Sequence, residues 1–464
     1  MIDSFAFLRY NFESGGMLDS PNPHPHSTPL HCQGLLMLRS YLILTALLGF
    51  ASPTLAAVPS TSPDPKTLIV PEEELSRARD LVQKLGSELY VEREEAEISL
   101  AKMGRMARVA LLDGVNNDTN AEVRTRCQEL LPKATSLEMK ARLAVFLADK
   151  EGKFEHDLAG WNQFRSVVRK EWTLFGYLIR SDRSLDAAAR ALFAEMISSR
   201  ENRHILFEIG SSQSDLSSLA AIRRQDLYSQ KHPRVMFVGG VMTRPTEQRD
   251  PTVADIATML LLESRPGVNF AAPRTAPIGM LLNGSAFSSA TAAGDERGRV
   301  CQAIACAWFD SRRDPMDLYN AMTIAQSMGM HDQSPLLALR LFQSKAALLA
   351  YRGIAASMLV RTGNKSHIPL LTDTLTDKTV ATTIRKTNAD KPGEIEAHEI
   401  QFRDVSLVVS LLLSQQKPED YGFVDQYKAQ GTANTNFNYT RFYIPEKMRD
   451  AAMAKWKEWR AKNP

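Results

Sequence analysis

From Pro71 onward, apolar residues recur at helical intervals. In EEELSRARDLVQKLG, Leu75, Ala78, Val82 and Leu85 fall on one stripe and Gly86 closes it, a spacing that predicts an amphipathic helix. CQAIACAWF, around Cys301 and Cys306, also reads as a helix. Strand-like alternation is scarce. Val235–Val241 (VMFVGGV) is the one stretch resembling a strand, and Gly239-Gly240 weakens it. The expected fold class is all-α.

The helical pattern repeats. Arg93 is followed by Ala96, Leu100 and Gly104 at +3, +7 and +11, and Arg352 by Ala355, Leu359 and Gly363 at the same steps. Arg124, 31 residues after Arg93, is followed by Cys127 and Leu131 at +3 and +7. Aligned without a gap, Val109, Leu111, Leu112 and Asp118 fall on Ile368, Leu370, Leu371 and Asp377. A further arginine helix is expected at IQFRDVSLVVSLLLS, with Arg403 and the small Ser406 at +3. Such spacing suits a helical hairpin. A small residue lets two helices approach, a leucine fills the gap, and a glycine ends the helix where positive φ is wanted. Residues 378–399, KTVATTIRKTNADKPGEIEAHE, read as an inserted long loop.

On Leu111, Leu112, Asp118, Val123 and Arg124 in one unit, and Ile368, Leu370, Leu371 and Asp377 in another, the chain resembles HEAT repeats. DLAGWNQFRSVV (157–168), RSLDAAARALFAEM (183–196), QKPEDYGF (416–423) and EKMRDAAMAKWKEWRAKN (446–463) resemble secreted bacterial proteins with degenerate HEAT-like units and no assigned activity. The resemblance implies an α-α superhelix of stacked hairpins. It carries over no catalytic residue. Lys378-Thr379-Val380 departs from the pattern, because no arginine follows at the expected step.

The two ends of the chain differ from this body. Residues 37–56 read as a signal peptide: Arg39 is a short positive region, Tyr41–Phe50 an apolar core, and Thr54-Leu55-Ala56 a small-residue cleavage site. Met37 is then the expected start, and residues 1–36, with His24, His26 and His31, an untranslated or disordered prefix. Residues 57–71 form a Pro-, Ser- and Thr-rich linker, 72–230 and 300–464 two HEAT-like helical regions, and 231–299 an irregular, loop-rich centre.

Composition adds limits. A net charge of +3 over 464 residues gives no dominating basic field, so nucleic acid is not an expected partner. Only Cys127, Cys301 and Cys306 remain beyond residue 56, too few for a disulfide framework. No HExxH, GxSxG, P-loop or CxxC motif occurs. Ser414–Lys417 matches SxxK but lacks a partner motif and reads as a helix end. Asp118, Thr119 and Asn120 faintly resemble a calcium loop and read better as turn and capping residues. Trp161, Phe164, Trp172 and Phe175 read as core. Trp456 and Trp459, beside Lys455, Lys457 and Arg460, either cap the last hairpin or touch a membrane surface.

No catalytic, cofactor-binding or metal-ligating residue is assigned, and no cofactor is expected. The expected function is a non-catalytic, exported scaffold in the periplasm or cell envelope, binding another protein through its concave face. The alternatives are an enzyme with its site in 231–299 and a self-associating structural component.

Overall fold

Pro71 and Glu72–Glu74 open the first helix, where acidic side chains meet the positive end of the helix dipole. It is the first of 17 α-helices among the described residues of this computed structural model. Those residues are 62–169, 172–174, 177–179, 186–211, 215–232, 236–238, 241–243, 249–268, 278–387, 395–428 and 437–463. The expected signal peptide and prefix lie outside them, as do parts of the 231–299 segment.

Helices α1 (Glu72–Lys84), α2 (Tyr90–Met103), α3 (Arg108–Asn117) and α4 (Ala121–Ala148) build a small core of their own. Ala78, Val82 and Leu85 of the predicted stripe are buried in it, with Leu75 packed alongside. Gly104 ends α2 at φ +57°, as the spacing required. Helix α4 runs through Pro132, which cannot donate to the carbonyl one turn back. Its first half (Val123, Cys127, Ala134) enters the small core and Phe146 enters a larger one, so burial at both ends holds it.

The larger core takes in Phe146 and α5 (Trp161–Arg169), after which the chain forms the antiparallel pair β1 (Trp172–Leu174)–β2 (Tyr177–Ile179). The larger core continues through α6 (Asp186–Ser198), α7 (Arg200–Gly210) and α8 (Leu216–Lys231), and a second antiparallel pair, β3 (Met236–Val238)–β4 (Val241–Thr243), comes next in the chain. The latter pairs Val238 with Val241, so the predicted strand is there, split in two at Gly239-Gly240. Helices α9 (Val253–Glu263), α10 (Ile278–Leu282), α11 (Ala286–Ala293) and α12 (Glu296–Ser311) follow. They correct the expectation of an irregular centre. A Thr252–Asp255 capping box starts α9, and Ala254–Glu263 are all buried against α6, α7, α8, α11 and α12. A helix buried on every side need not show a wet and a dry face, and the Pro and Gly around it have the composition of loops.

Helices α13 (Pro315–Ser327), α14 (Gln333–Gln343) and α15 (Leu349–Thr362) pack in succession, followed by the 3-10 helix Lys365–Thr376. At three residues per turn, this last element lines up Ile368, Leu371 and Thr374 on its buried side. The α-helical α3 buries Ala110, Leu111 and Gly114 instead, so Leu112 is exposed where its aligned Leu371 is buried. Gly363 does not use positive φ, either. It is extended at φ −76°, and a Cβ there would lie 2.4 Å from the Leu359 carbonyl oxygen; the glycine serves close approach. Residues 378–399 are no plain loop, since β5 (Val380–Thr387) and β6 (Ile395–Gln401) pair as an antiparallel hairpin rich in β-branched residues. Helix α16 (Phe402–Leu413), the short pair β7 (Val424–Asp425)–β8 (Phe442–Tyr443) and α17 (Glu446–Lys462) complete the chain. Among the described residues no helix is long and apolar enough to cross a membrane.

Candidate functional site

The repeated arginines fasten helix ends. Arg93 Nη1 donates to the carbonyls of Ser87 (2.7 Å) and Glu88 (3.1 Å), and Arg124 Nη1 to those of Asp118 and Thr119 (both 2.9 Å). Arg203 bonds Ile197 and Ser198 in the same way, a third instance that the sequence reading missed. Each reaches five and six residues upstream, where the end of the preceding helix leaves carbonyls without partners. Asp118 and Asp377 also match, each accepting the amide two residues on. Arg352 departs from this set. It donates to the Phe342 carbonyl (2.8 Å), pairs with Asp377 (2.5 Å), and lies 3.6 Å from the centroid of Phe402.

Its true counterpart is Arg190, which donates to the Phe146 carbonyl (2.9 Å), pairs with Asp149 (3.4 Å) and lies over Phe146. An arginine set among Ala189, Leu192 and Phe193, all core positions, is the sequence signal that marks it. Arg126, two residues after Arg124, is bound by Glu122 (2.7 Å), Glu94 (3.0 Å) and Glu97 (2.5 Å), which raise its pKa further. It ties α4 to α2.

Beside α9 lies a cavity of about 700 Å³ that reaches Asp255, Glu195, Glu201 and Arg223. Its carboxylates are all engaged. Asp255 accepts from Asn202 (3.0 Å), Arg223 (2.7 Å) and Thr252; burial raises its pKa, and these partners outweigh burial and lower it. Glu195 pairs with Arg297 (2.6 Å) and Glu201 accepts from Ser199 (2.9 Å). Deeper in the core, Arg224 and the Trp308 indole both bind Glu263.

The other sequence candidates fall into place. Asn120 caps α4 through the Glu122 amide (3.0 Å), as a turn residue should. Ser414 is buried at the end of α16 and donates to the Ser410 and Leu411 carbonyls (both 2.9 Å), which leaves no free nucleophile. Trp161 and Phe164 pack with Phe146 and Phe193 in the core. The side chains of Trp172 and Phe175 lie outside the described residues. The three cysteines among the described residues, Cys127, Cys301 and Cys306, are buried. Among the described residues, no three His, Cys, Asp or Glu groups are placed to hold a metal ion.

Two surfaces carry groups that the fold does not use. The first is the outer side of α2 and its neighbours, where Tyr90, Val91 and Ile98 are 62%, 64% and 52% exposed. Ile69, Leu89, Val109 and Leu112 are exposed as well, so seven of the 19 large exposed apolar side chains among the described residues fall within residues 69–112. The second is a cleft of about 520 Å³ between the 3-10 helix Lys365–Thr376 and α17. Ile368, Leu375, Met453 and Trp456 give it an apolar floor, and Lys378, Arg403, Lys457 and Arg460 a basic rim. Asp450, Met453, Lys457 and Arg460 share one stripe of α17. That helix is locked in place by Arg449 on Asp404 (2.9 Å) and by Trp456, which is only 3% exposed. Trp456 thus packs with the core. The chain matches no known protein family, no curated protein and no solved structure. Its surfaces are the guide to its function.

Proposed function

We propose that the chain is a non-catalytic, exported HEAT-like repeat protein that serves as a protein-binding scaffold in the cell envelope. Stacking of the hairpins into an α-α superhelix belongs to this proposal. It is best supported at α1–α4, where α1 packs on α2 and α3 on α4 and Arg93 and Arg124 repeat one fastening. It is less supported around α9, which meets helices remote in sequence, whereas solenoid units meet their neighbours.

The observation that carries the binding role is the apolar face of α2. Exposed apolar groups gathered on one end of a helical stack mark a contact surface, and the same groups scattered singly do not. Residues 72–103 also hold nine acidic and five basic side chains, against a positive chain overall. The fitting partner is a protein with an apolar patch bordered by lysine or arginine. A photo-crosslinking residue at position 91 or 98 tests this in the host envelope, with positions 222 and 348, also apolar and exposed, as controls. A single protein captured from 91 and 98 and not from the controls is expected; the same capture from all four positions defeats the proposal.

A second reading, self-association, is favoured by charge. Residues 446–463 carry six basic and three acidic side chains, opposite in sign to residues 72–103. Crosslinks from position 91 or 98 to the chain itself, with a mass that rises with concentration in light scattering, would establish it. An enzyme centred on 231–299 has less support, because the carboxylates facing the cavity near Asp255 are already bound.

A further inference from the structure

We propose that the cleft between α17 and the 3-10 helix Lys365–Thr376 binds a single amphiphilic anion, an apolar chain ending in one carboxylate or phosphate. Its cations differ from the buried arginines of the core. Arg190, Arg223, Arg224, Arg352 and Arg449 each face a carboxylate. Among the described residues, Lys378, Arg403, Lys457 and Arg460 form no ion pair. Arg403 has only Gln401 Oε1 on its Nε (2.7 Å), and Arg460 only the Asn463 carbonyl on Nη1 (2.8 Å). Four like charges around one cleft repel each other, and the one acid that lines it, Asp450, leaves three in excess. An anion relieves that repulsion.

The floor selects among anions. Thr372 and Thr376 donate their hydroxyls to the Pro369 and Asp373 carbonyls, so neither is left to donate to a ligand. Beside these threonines and Asp450, the lining between the basic groups is Ile368, Leu375, Met453 and Trp456, which offer apolar contact. A small hydrated anion gains nothing from such a floor, whereas an alkyl chain does. About 520 Å³ is the size of a site for one small molecule. Methionine and tryptophan there adapt to a chain without requiring a fixed shape.

The test titrates the full chain with monomeric dodecanoate and dodecyl phosphate, following tryptophan fluorescence and calorimetry. Inorganic phosphate, dodecyltrimethylammonium, an acidic peptide and anionic phospholipid vesicles serve as comparisons. The doubly substituted Lys378→Glu/Lys457→Glu chain alters two exposed side chains and leaves α17 anchored. At least one dodecyl anion is expected to bind with 1:1 stoichiometry, and the double substitution to weaken it at least tenfold with no change in Tm. Binding of dodecanoate as well as dodecyl phosphate points to free fatty acids, and of the phosphate alone to a phosphate-headed amphiphile; either supports the proposal. The cleft is not an amphiphile site if the ammonium compound binds as tightly, if inorganic phosphate, the peptide or the vesicles bind better than both dodecyl anions, or if the double substitution changes nothing. None of those results bears on the α2 face, so the scaffold reading is judged separately.

Discussion

Replacing Arg352 with methionine removes one guanidinium from three partners at once: the Phe342 carbonyl, Asp377 and the Phe402 ring. Methionine keeps most of the aliphatic volume, so the change is mainly electrostatic. The side chains of Arg352 and Asp377 are 2% and 8% exposed, which makes this a buried pair. Breaking a buried pair from one side costs roughly 3–5 kcal/mol, because the remaining charge loses its counter-ion. Asp377 keeps the Thr379 amide at 3.0 Å, which places the loss towards the lower end, at about 3–4 kcal/mol. Arg126→Met is the control. Its carboxylates are a third to a half exposed, and such pairs contribute about 1 kcal/mol or less. All five tryptophans follow residue 160, so urea unfolding read by their fluorescence reports on the larger core that holds Arg352. The expected result is a clear fall in the urea midpoint for Arg352→Met with an unchanged slope. Asp377→Asn should also destabilise, and the double variant should recover about 1–3 kcal/mol relative to additivity. If Arg352→Met cost no more than about 0.5 kcal/mol, or the double-variant cycle closed at zero, the clamp would be an ornament of the fold and the reasoning would fail.

Two further outcomes follow from buried groups. Burial pushes the Asp149 carboxyl up, but His156 at 3.0 Å, the Phe154 and Lys153 amides and Arg190 outweigh it and hold its pKa at about 2, below the ordinary 3.8. A carboxyl depressed by folding contributes its stability above pH 4 and loses it as pH falls towards 2, a change of about 2–3 kcal/mol. Urea midpoints between pH 6 and pH 2.5 should therefore fall more steeply for the native chain than for Asp149→Asn, and parallel profiles would contradict the assignment. Burial likewise raises the thiol of Cys127 to about 11 and those of Cys301 and Cys306 to about 12, so little thiolate exists at neutral pH. Iodoacetamide should label none of the three in the folded protein and all three in urea, as mass spectrometry will show; rapid labelling of the native chain would mean that these helices open.

What the sequence disclosed depended on how each element buries its side chains. Helix α1 was legible because one side of it is wet, so Leu75, Ala78, Val82 and Leu85 stand out against charge. Helix α9 was not, because all of Ala254–Glu263 is buried and its few polar residues, Asp255, Thr258 and Glu263, face partners in the fold and mark no wet side. The ungapped match of residues 109–118 to 368–377 was real as sequence, and Asp118 and Asp377 do make the same turn. The segments between them wind differently, as α and 3-10 helices, so Leu112 and Leu371 face opposite ways. Spacing alone cannot distinguish 3.6 from 3.0 residues per turn over ten residues. The hairpin β5–β6 was hidden for another reason, since its polar, threonine-rich strands resemble a loop in composition and become strands through mutual pairing. The C-terminal cleft was half visible. Lys457, Arg460 and Trp456 stood together in the sequence, but Lys378 and Arg403 join them only through the fold.

An arginine in a helical protein of this kind has one of two fates, and the difference between them locates function. Six arginines, at 93, 124, 190, 203, 312 and 352, point at carbonyls in or just beyond helix C-terminal ends, where the backbone is electron-rich and short of donors. Those buried among aromatic rings add a carboxylate partner, as Arg190 and Arg352 do, because a charge removed from water needs a counter-charge. Arg126 obeys the same rule at the surface, between three glutamates. Folding accounts for all of these. It does not account for Arg403 and Arg460, which with Lys378 and Lys457 surround an apolar floor and meet no carboxylate among the described residues. Arginines that bind a carboxylate or the end of another helix mark structure, and cations in excess of the acid around an apolar cleft mark the place where an anion completes the set.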